Sequence, residues 1–278
     1  MKQNPKTIKQ ILNISFLSVS IPALILLLVL TCYTISRQIH ADQSDTEIQL
    51  SQVTTHMEEV LKRSETQLNN LVVPGSPFHS FHYSNTQLEK YQNAYTILQI
   101  LRPILTQDSC LGGFFLYSKE KSDNCYYPSF QQHYSYEDQK LLKDYFMQPI
   151  HLSEERNRWI PFMLSDRVVL IRMIGYDTTI CAVMVDPSLD NFSLFAGMSD
   201  SDMHLFYASL EGTPYTSEFV TRKLLFPYED NPVRKITLDK KTYQFISSPV
   251  GEYNLQLCCI FPYKGIWSHM NLFQKVLI

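Results

Sequence analysis

Few residues in this chain have the types and spacing that chemistry requires. His79-Ser80-Phe81-His82 is the one close histidine pair. On a helix an i, i+3 pair can share a metal ion, but beside Pro77 the segment reads as a loop, where two ligands fall short of a site. The carboxylates Asp166, Asp177, Asp186 and Asp190 fall at turns or strand ends, positions that polar side chains occupy for structural reasons. Asp186 follows the apolar run 182–185, and a carboxylate at the end of such a strand can present its charge to an ammonium group at a pocket mouth. A turn or cap role before Pro187-Ser188-Leu189 is the alternative. Tyr117, Tyr126 and Arg172 are candidates to line the same concavity, or to serve as core or rim. Nothing advertises catalysis: with only 8 glycines there is no GxGxxG and no GxxxxGKS/T, and HExxH, GxSxG and CxxC are missing.

The elements that position these residues begin with a membrane anchor. The uncharged run 11–35 reaches roughly 37 Å as a helix, enough to cross a hydrocarbon core about 30 Å thick. A cleaved signal peptide would carry an apolar stretch of about 7–15 residues ending in a small-x-small site. Here the run is longer, and Thr34-Ile35-Ser36-Arg37-Gln38-Ile39 offers no such site. Lys2, Lys6 and Lys9 precede the run with no acid among them. After Arg37, Asp42, Asp45, Glu47, Glu58, Glu59 and Glu65 outnumber Lys62 and Arg63. Basic flanks stay cytoplasmic, so residues 1–10 are expected inside the cell and 37–278 outside, with the chain in the cell membrane. Pro22 and the serines at 15, 18 and 20 are tolerated in a membrane helix and carry no assigned role.

Composition predicts that the remainder folds. At 45% hydrophobic and 18% charged, the outer part can bury a core as one large domain or two small ones. A net charge of -3 leaves no basic surface for nucleic acid. Six cysteines are too few and too scattered for a disulfide scaffold. The adjacent Cys258 and Cys259 would point to opposite faces of a strand. Cys110 and Cys125 flank one hairpin and can pair in an oxidising compartment, although a turn at Glu120-Lys121 would place residues 131 and 116 opposite them.

Periodicity supplies the rest of the plan. Leu50, Val53, Met57, Val60, Ser64, Leu68 and Leu71 alternate spacings of three and four, predicting a helix over 38–72 within a stalk of 36–72 that stops at Pro74-Gly75-Ser76-Pro77. This stripe can pack on its own domain, pair with a second copy of the chain, or divide its length between the two. A second helix is predicted over 85–106 and a short one over 136–146. Strands are predicted over 111–118 and 124–127, joined by a polar turn at 119–123, and in an antiparallel meander of 159–164, 168–176 and 179–185. A smaller β unit follows: one hairpin of 203–210 and 214–219 turns at Glu211-Gly212, and another joins 242–247 to 253–261. Residues 263–278 read as an amphipathic helix ending in Val276-Leu277-Ile278, as if leading toward a second span.

This order of elements resembles the extracellular double Cache sensors of bacteria, over roughly residues 38–278. The sharpest match is Ala182-Val183-Met184-Val185-Asp186-Pro187-Ser188-Leu189-Asp190-Asn191-Phe192, which is similar to the family's strand-end signature and its linker leucine. Residues 111–118 resemble the first sheet strand of the distal unit, and Trp159-Ile160-Pro161-Phe162 with Asp166-Arg167-Val168-Val169-Leu170-Ile171-Arg172 is similar to the matching hairpin in sensors of Gram-positive histidine kinases.

The resemblance implies an α+β architecture: transmembrane helix 11–35, stalk 36–72, and two PAS-like antiparallel-sheet subdomains, distal 73–195 and proximal 196–262, with an exit helix 263–278. It also implies a ligand site. In amino-acid-binding members an Arg and a Trp hold the ligand's carboxylate and an Asp holds its amine, and the corresponding candidates are Arg158, Trp159 and Asp186. Arg158 and Trp159 are adjacent, where the family motif spaces them and adds a Tyr, and neighbours on a strand face opposite ways. The expected function is a non-catalytic input module without cofactor or metal. It would sense an unidentified small molecule, work as a homodimer through the stalk, and report to an output outside this sequence, a histidine kinase first and an AraC-type membrane regulator second. A membrane-anchored surface binding protein is the reading from a different class.

Overall fold

The stripe on the stalk is buried, and it is buried within its own chain. The computed structural model describes residues 5–119, 125–131, 134–147, 157–189, 203–216, 218–219, 222–229 and 233–263. In it a single helix, α1 (Pro5–Leu71), runs unbroken from the apolar segment into the stalk. Its first part exposes Phe16, Val19, Ile25 and Val29, and the helix is long and apolar enough to cross a membrane. There Thr31 and Thr34 donate their hydroxyls to the carbonyls of Leu27 and Leu30, so neither needs water. Farther along, Leu50, Val53, Met57, Val60, Ser64, Leu68 and Leu71 are all buried. Of the readings open for this stripe, packing on its own domain holds over 50–71, and those positions are not free to meet a second copy.

Pro74-Gly75-Ser76-Pro77 ends α1 but also starts the next helix. The Ser76 hydroxyl accepts the His79 N–H at 3.2 Å at the head of α2 (Pro77–Tyr83), with Pro77 in its first turn. The loop expected around His79 and His82 is therefore helical, because a proline in the first turn lacks only a donor that the helix does not use there. In α3 (Gln87–Leu105) Thr86 and Glu89 form a reciprocal capping box, and Pro103 sits in the last turns.

The strands β1 (Leu111–Ser118), β2 (Cys125–Phe130), β3 (Trp159–Met163), β4 (Val168–Tyr176) and β5 (Thr179–Val185) form an antiparallel sheet in the order β2-β1-β5-β4-β3. Pleating splits their apolar side chains cleanly. Phe114, Leu116, Leu170, Ile174, Val183 and Val185 share a core with the α1 stripe, Phe78 and Phe81 of α2, and Ile97 of α3. Phe115, Val169, Ile171, Met173, Ala182 and Met184 face the other way, onto Leu142 and Phe146 of α4 (Tyr136–Met147). β2 runs three residues past its expected end through Pro128, which an edge strand accommodates. Ser118 lies opposite Cys125, two residues beyond the register that a turn at Glu120-Lys121 would give. Cys110 precedes β1 while Cys125 meets its far end, and neither is in a disulfide.

A second antiparallel sheet has the order β6-β9-β8-β7, from β6 (His204–Ala208), β7 (Val233–Leu238), β8 (Lys241–Pro249) and β9 (Gln256–Pro262). Ile246, Leu257 and Cys259 join the α1 core, whereas Phe245, Cys258 and Ile260 pack with Phe219 and Phe226 on the opposite face, so Cys258 and Cys259 diverge as the pleat requires. The hairpin expected between 203–210 and 214–219 forms around its turn, where the Ser209 N–H donates to the Thr213 carbonyl at 2.8 Å and the Tyr215 N–H to the Tyr207 carbonyl at 2.7 Å, but it is shorter than expected. Residues 214–216 make isolated bridges, Pro214 to Ala208 and Thr216 to Arg167, and β7 occupies a sheet edge that the sequence reading left unassigned. The sequence Val-Arg-Lys-Ile-Thr-Leu, with no buried residue and with Lys235 and Thr237 exposed, hid that strand. The expected helix beyond 263, the end of the strand-end signature at 190–192 and the turn at 120–124 lie outside the described residues.

Candidate functional site

Five of the six candidate residues divide between the two faces of the first sheet, and the sixth, Arg158, lies just outside it. Trp159 and Arg172 are directly opposite each other in the β3–β4 pairing, on the face that meets α1. There they converge on Glu65 of the stalk: Trp159 donates Nε1–H to Glu65 Oε1 at 2.8 Å, and the Arg172 guanidinium pairs with the same oxygen at 2.9 Å. Tyr253, from the β8–β9 turn of the second sheet, bonds to this carboxylate too, and burial, followed by the Glu65 charge, pushes its phenol up to about 12. One carboxylate on α1 thus holds both sheets. Arg158 sits exposed on the turn before β3, while its neighbour Trp159 is half-buried. Trp159 and Arg172 therefore do not join Asp186 in one concavity, because strand parity places them on the stalk side, while Arg158, on the bend before β3, is exposed.

Tyr117, Tyr126 and Asp186 occupy the opposite side. Tyr117 and Tyr126 are register partners in β1 and β2. The Tyr126 ring stacks on Phe115 and Phe146 at centroid distances of 6.1 and 5.9 Å, and its buried hydroxyl has no hydrogen-bond partner among the described residues. Burial raises the phenol pKa of both tyrosines.

Asp186 is fully buried where β5 ends, and its N–H donates to the Cys110 carbonyl at 2.8 Å. Its two oxygens are held unequally. Oδ1 accepts the Ser188 N–H at 3.0 Å and the Ser188 hydroxyl at 2.5 Å, a tight turn cap. Oδ2 has only long contacts, to the Tyr134 hydroxyl at 3.3 Å and the Arg167 guanidinium at 3.4 Å. The turn-cap reading of Asp186 holds at Oδ1, and Oδ2 keeps only the two longer contacts. Burial raises its pKa above the ordinary carboxylate value, and the Ser188 hydroxyl and Arg167 only partly offset that. Burial and the Asp186 charge likewise raise the Tyr134 phenol.

Tyr134 carries no signal of its own in the sequence, and Arg167 enters there only within the hairpin segment 166–172. A usable signal was Gly112-Gly113 inside an apolar strand, a mark of close approach. A Cβ at Gly112 would lie 2.5 Å from the Tyr134 hydroxyl and 2.6 Å from Met184 Cε, so a side chain there would push one or both of them aside.

Asp138, at the head of α4, braces this region. It accepts the Ser165 N–H and hydroxyl at 3.0 and 2.7 Å and the Ser135 hydroxyl at 2.8 Å. Burial would raise its pKa, but these donors outweigh burial and lower it. The His79–His82 pair is engaged otherwise: the His82 ring stacks on Tyr176 at 4.2 Å with Nδ1 3.0 Å from Thr179 Oγ1, and His79 packs on Tyr83. In chemical terms the Asp186 side offers a carboxylate with one loosely held oxygen, an adjacent guanidinium and an aromatic wall, which suits binding a small cation or zwitterion.

No protein-family model and no curated protein sequence matches the chain. Solved structures do. The extracellular domain of a protein described as a histidine kinase, rpHK1S-Z16, superposes with a TM-score of 0.51 at 11% identity, covering 84% of this chain and 100% of that one. A second such domain, soHK1S-Z6, gives 0.50 at 11% identity over 85% and 98%. The ligand-binding domain of the Pseudomonas aeruginosa PAO1 amino-acid chemoreceptor PctC, in complex with GABA, gives 0.48 at 12% identity over 80% and 99%. At these identities the likeness is one of fold: a long N-terminal helix followed by antiparallel-sheet units, the α+β class expected.

Proposed function

We propose that this chain is the extracellular signal-input part of a membrane receptor. A small ligand carrying an ammonium group binds on the Asp186 side of the first sheet, and the resulting change passes along α1 through the membrane to a cytoplasmic histidine kinase. The observation that carries this reading is the continuity of α1: one helix is apolar over a membrane's thickness at one end and, through Glu65, bonded to both sheets at the other. A rigid rod joined to two sheets responds to a change in either. The fold shared with the extracellular domains of the two proteins described as histidine kinases supports the choice of output. The basic flank Lys2, Lys6 and Lys9 supports a cytoplasmic N-terminus.

At the site, a ligand ammonium takes the place of the long Tyr134 and Arg167 contacts on Oδ2, while Ser188 keeps Oδ1 fixed. A charge-assisted hydrogen bond replaces two stretched ones, which gives the ligand the differential affinity a switch requires. The receptor acts as a homodimer through the membrane-near half of the stalk. There, Ala41, Ser44, Ile48, Ser51 and Thr55 are exposed at alternating spacings of three and four, on a face of α1 that the sheets leave open.

The test is a thermal-shift screen of the full chain in detergent against amines, amino acids, organic acids and sugars. A compound bearing an ammonium group is expected to raise the melting temperature of the wild type and not of Asp186→Asn. Equal shifts in both proteins, or a response confined to uncharged sugars, contradict the reading.

A further inference from the structure

A second site stands where α1 crosses the α3–β1 connection. His56 of the stalk, Asp108 and Cys110 bring one ligand atom each, an imidazole nitrogen, a carboxylate oxygen and a thiol sulfur, all within 4.8 Å of one another. Asp108 and Cys110 are buried and His56 is exposed, so the group has a solvent-facing side. The three donors are of different kinds, and they come from two segments more than fifty positions apart in the sequence. The Asp108 side chain is already oriented, since its Oδ1 accepts the Cys110 N–H at 3.1 Å. A carboxylate offers about four lone-pair directions, so this bond leaves it able to ligate.

We propose that His56, Asp108 and Cys110 bind a single transition-metal ion of the zinc class, with water in the fourth position. An N, O, S donor set suits a borderline-soft divalent ion in tetrahedral geometry and not the hard, all-oxygen environment of calcium or magnesium. Bond lengths of about 2.0–2.3 Å to such an ion require the donors to draw together from their present spread, a movement of side chains on the His56 side. Binding takes up the thiolate of Cys110 and releases its proton to solvent.

The position of the ion gives it a mechanical consequence. His56 belongs to the stalk, and the Cys110 carbonyl accepts the N–H of Asp186, so an ion here ties α1 to the chain segment that borders the Asp186 site. Occupancy would stiffen the stalk against the first sheet at a point separate from Glu65. The inference concerns this ion alone and stands or falls independently of the small ligand proposed above.

The test uses Co2+ as the probe on the full chain in detergent under reducing conditions, followed by competition with Zn2+. One Co2+ per chain is expected to bind with a thiolate-to-cobalt charge-transfer absorption and the strong visible bands of a four-coordinate ion, and Zn2+ is expected to abolish both. Cys110→Ser removes the charge-transfer absorption, while Cys125→Ser leaves it intact. Because Cys110 is fully buried, His56→Ala is the second variant: it changes an exposed side chain and is expected to weaken Co2+ binding by about 100-fold or more, since losing a ligand costs more than the roughly 10–100-fold effect of losing a group that only orients one. No charge-transfer absorption in the wild type, its persistence in Cys110→Ser, or undiminished affinity in His56→Ala each overturns the proposal.

Discussion

Glu65→Ala removes one side chain and releases three partners. Trp159 Nε1 at 2.8 Å and the Tyr253 hydroxyl are neutral donors on a charged acceptor, and Arg172 at 2.9 Å is an ion pair. Hydrogen bonds to a charged group contribute about 1.5 kcal/mol each at the lower end of their range. The ion pair is partly exposed, with 12% and 22% of its side chains accessible, so screening limits it to about 1 kcal/mol. The loss is therefore about 3–4 kcal/mol, which for a chain of this size lowers the melting temperature by about 10 °C. Glu65→Gln, which keeps the shape and loses the charge, should lose about half as much. Thermal melting of the full chain followed by tryptophan fluorescence is the assay, since Trp159 is one of only 2 tryptophans and reports on the junction itself. Glu59→Ala, on the exposed side of the same helix, is the control and is expected to leave the melting temperature unchanged. A Glu65→Ala protein melting within about 2 °C of the wild type would refute the claim that this carboxylate joins the stalk to the sheets.

The remaining predictions concern the Asp186 side and the stalk. The native fold binds the Asp186 proton more tightly than the unfolded chain, so acidification stabilises through this group. Asp186→Asn, which mimics the protonated form, should melt higher than the wild type at neutral pH, with the gap closing toward the ordinary carboxylate range. Asp138 has the opposite sign: its pKa is lowered, so its contribution is present at neutral pH and lost as the pH falls through its native value. Asp138→Asn should cost about 1.5–3 kcal/mol at neutral pH, and a pH-independent difference in denaturant unfolding would count against the assignment. Cysteines placed at Ser44 and Ile48 should cross-link between copies in membranes, whereas cysteine at Met57, buried against the chain's own sheets, should not. The reverse pattern would move the dimer contact to the far half of the stalk.

Much of the fold was legible because its signals are local. The runs at 111–118, 168–176 and 179–185 are buried on both faces and read as strands at their observed bounds, and the 3,4 stripe of α1 is core at every position. What escaped depended on contacts between distant parts of the chain. Arg172 has the parity of Leu170 and Ile174, but nothing in a strand says which of its faces will carry the stalk. Glu65 looks like any charge on the edge of a helix until Trp159, 94 positions away, and Tyr253 arrive. Pro77 was read as a breaker because composition does not reveal that Ser76 caps the helix it begins. Tyr134 and His56 lacked motifs altogether, and only folding brings them to Asp186 and Cys110.

The central claim, that occupation of the Asp186 side is felt at the membrane through Glu65, is tested most directly by inter-copy cross-linking of Ile48→Cys in membranes, with and without the ligand found by thermal shift. The expected result is a ligand-dependent change in cross-linking rate that disappears when Glu65→Gln is added, although the ligand still binds. The same ligand response in the Glu65→Gln background, or no response in the wild type at saturating ligand, would contradict the account.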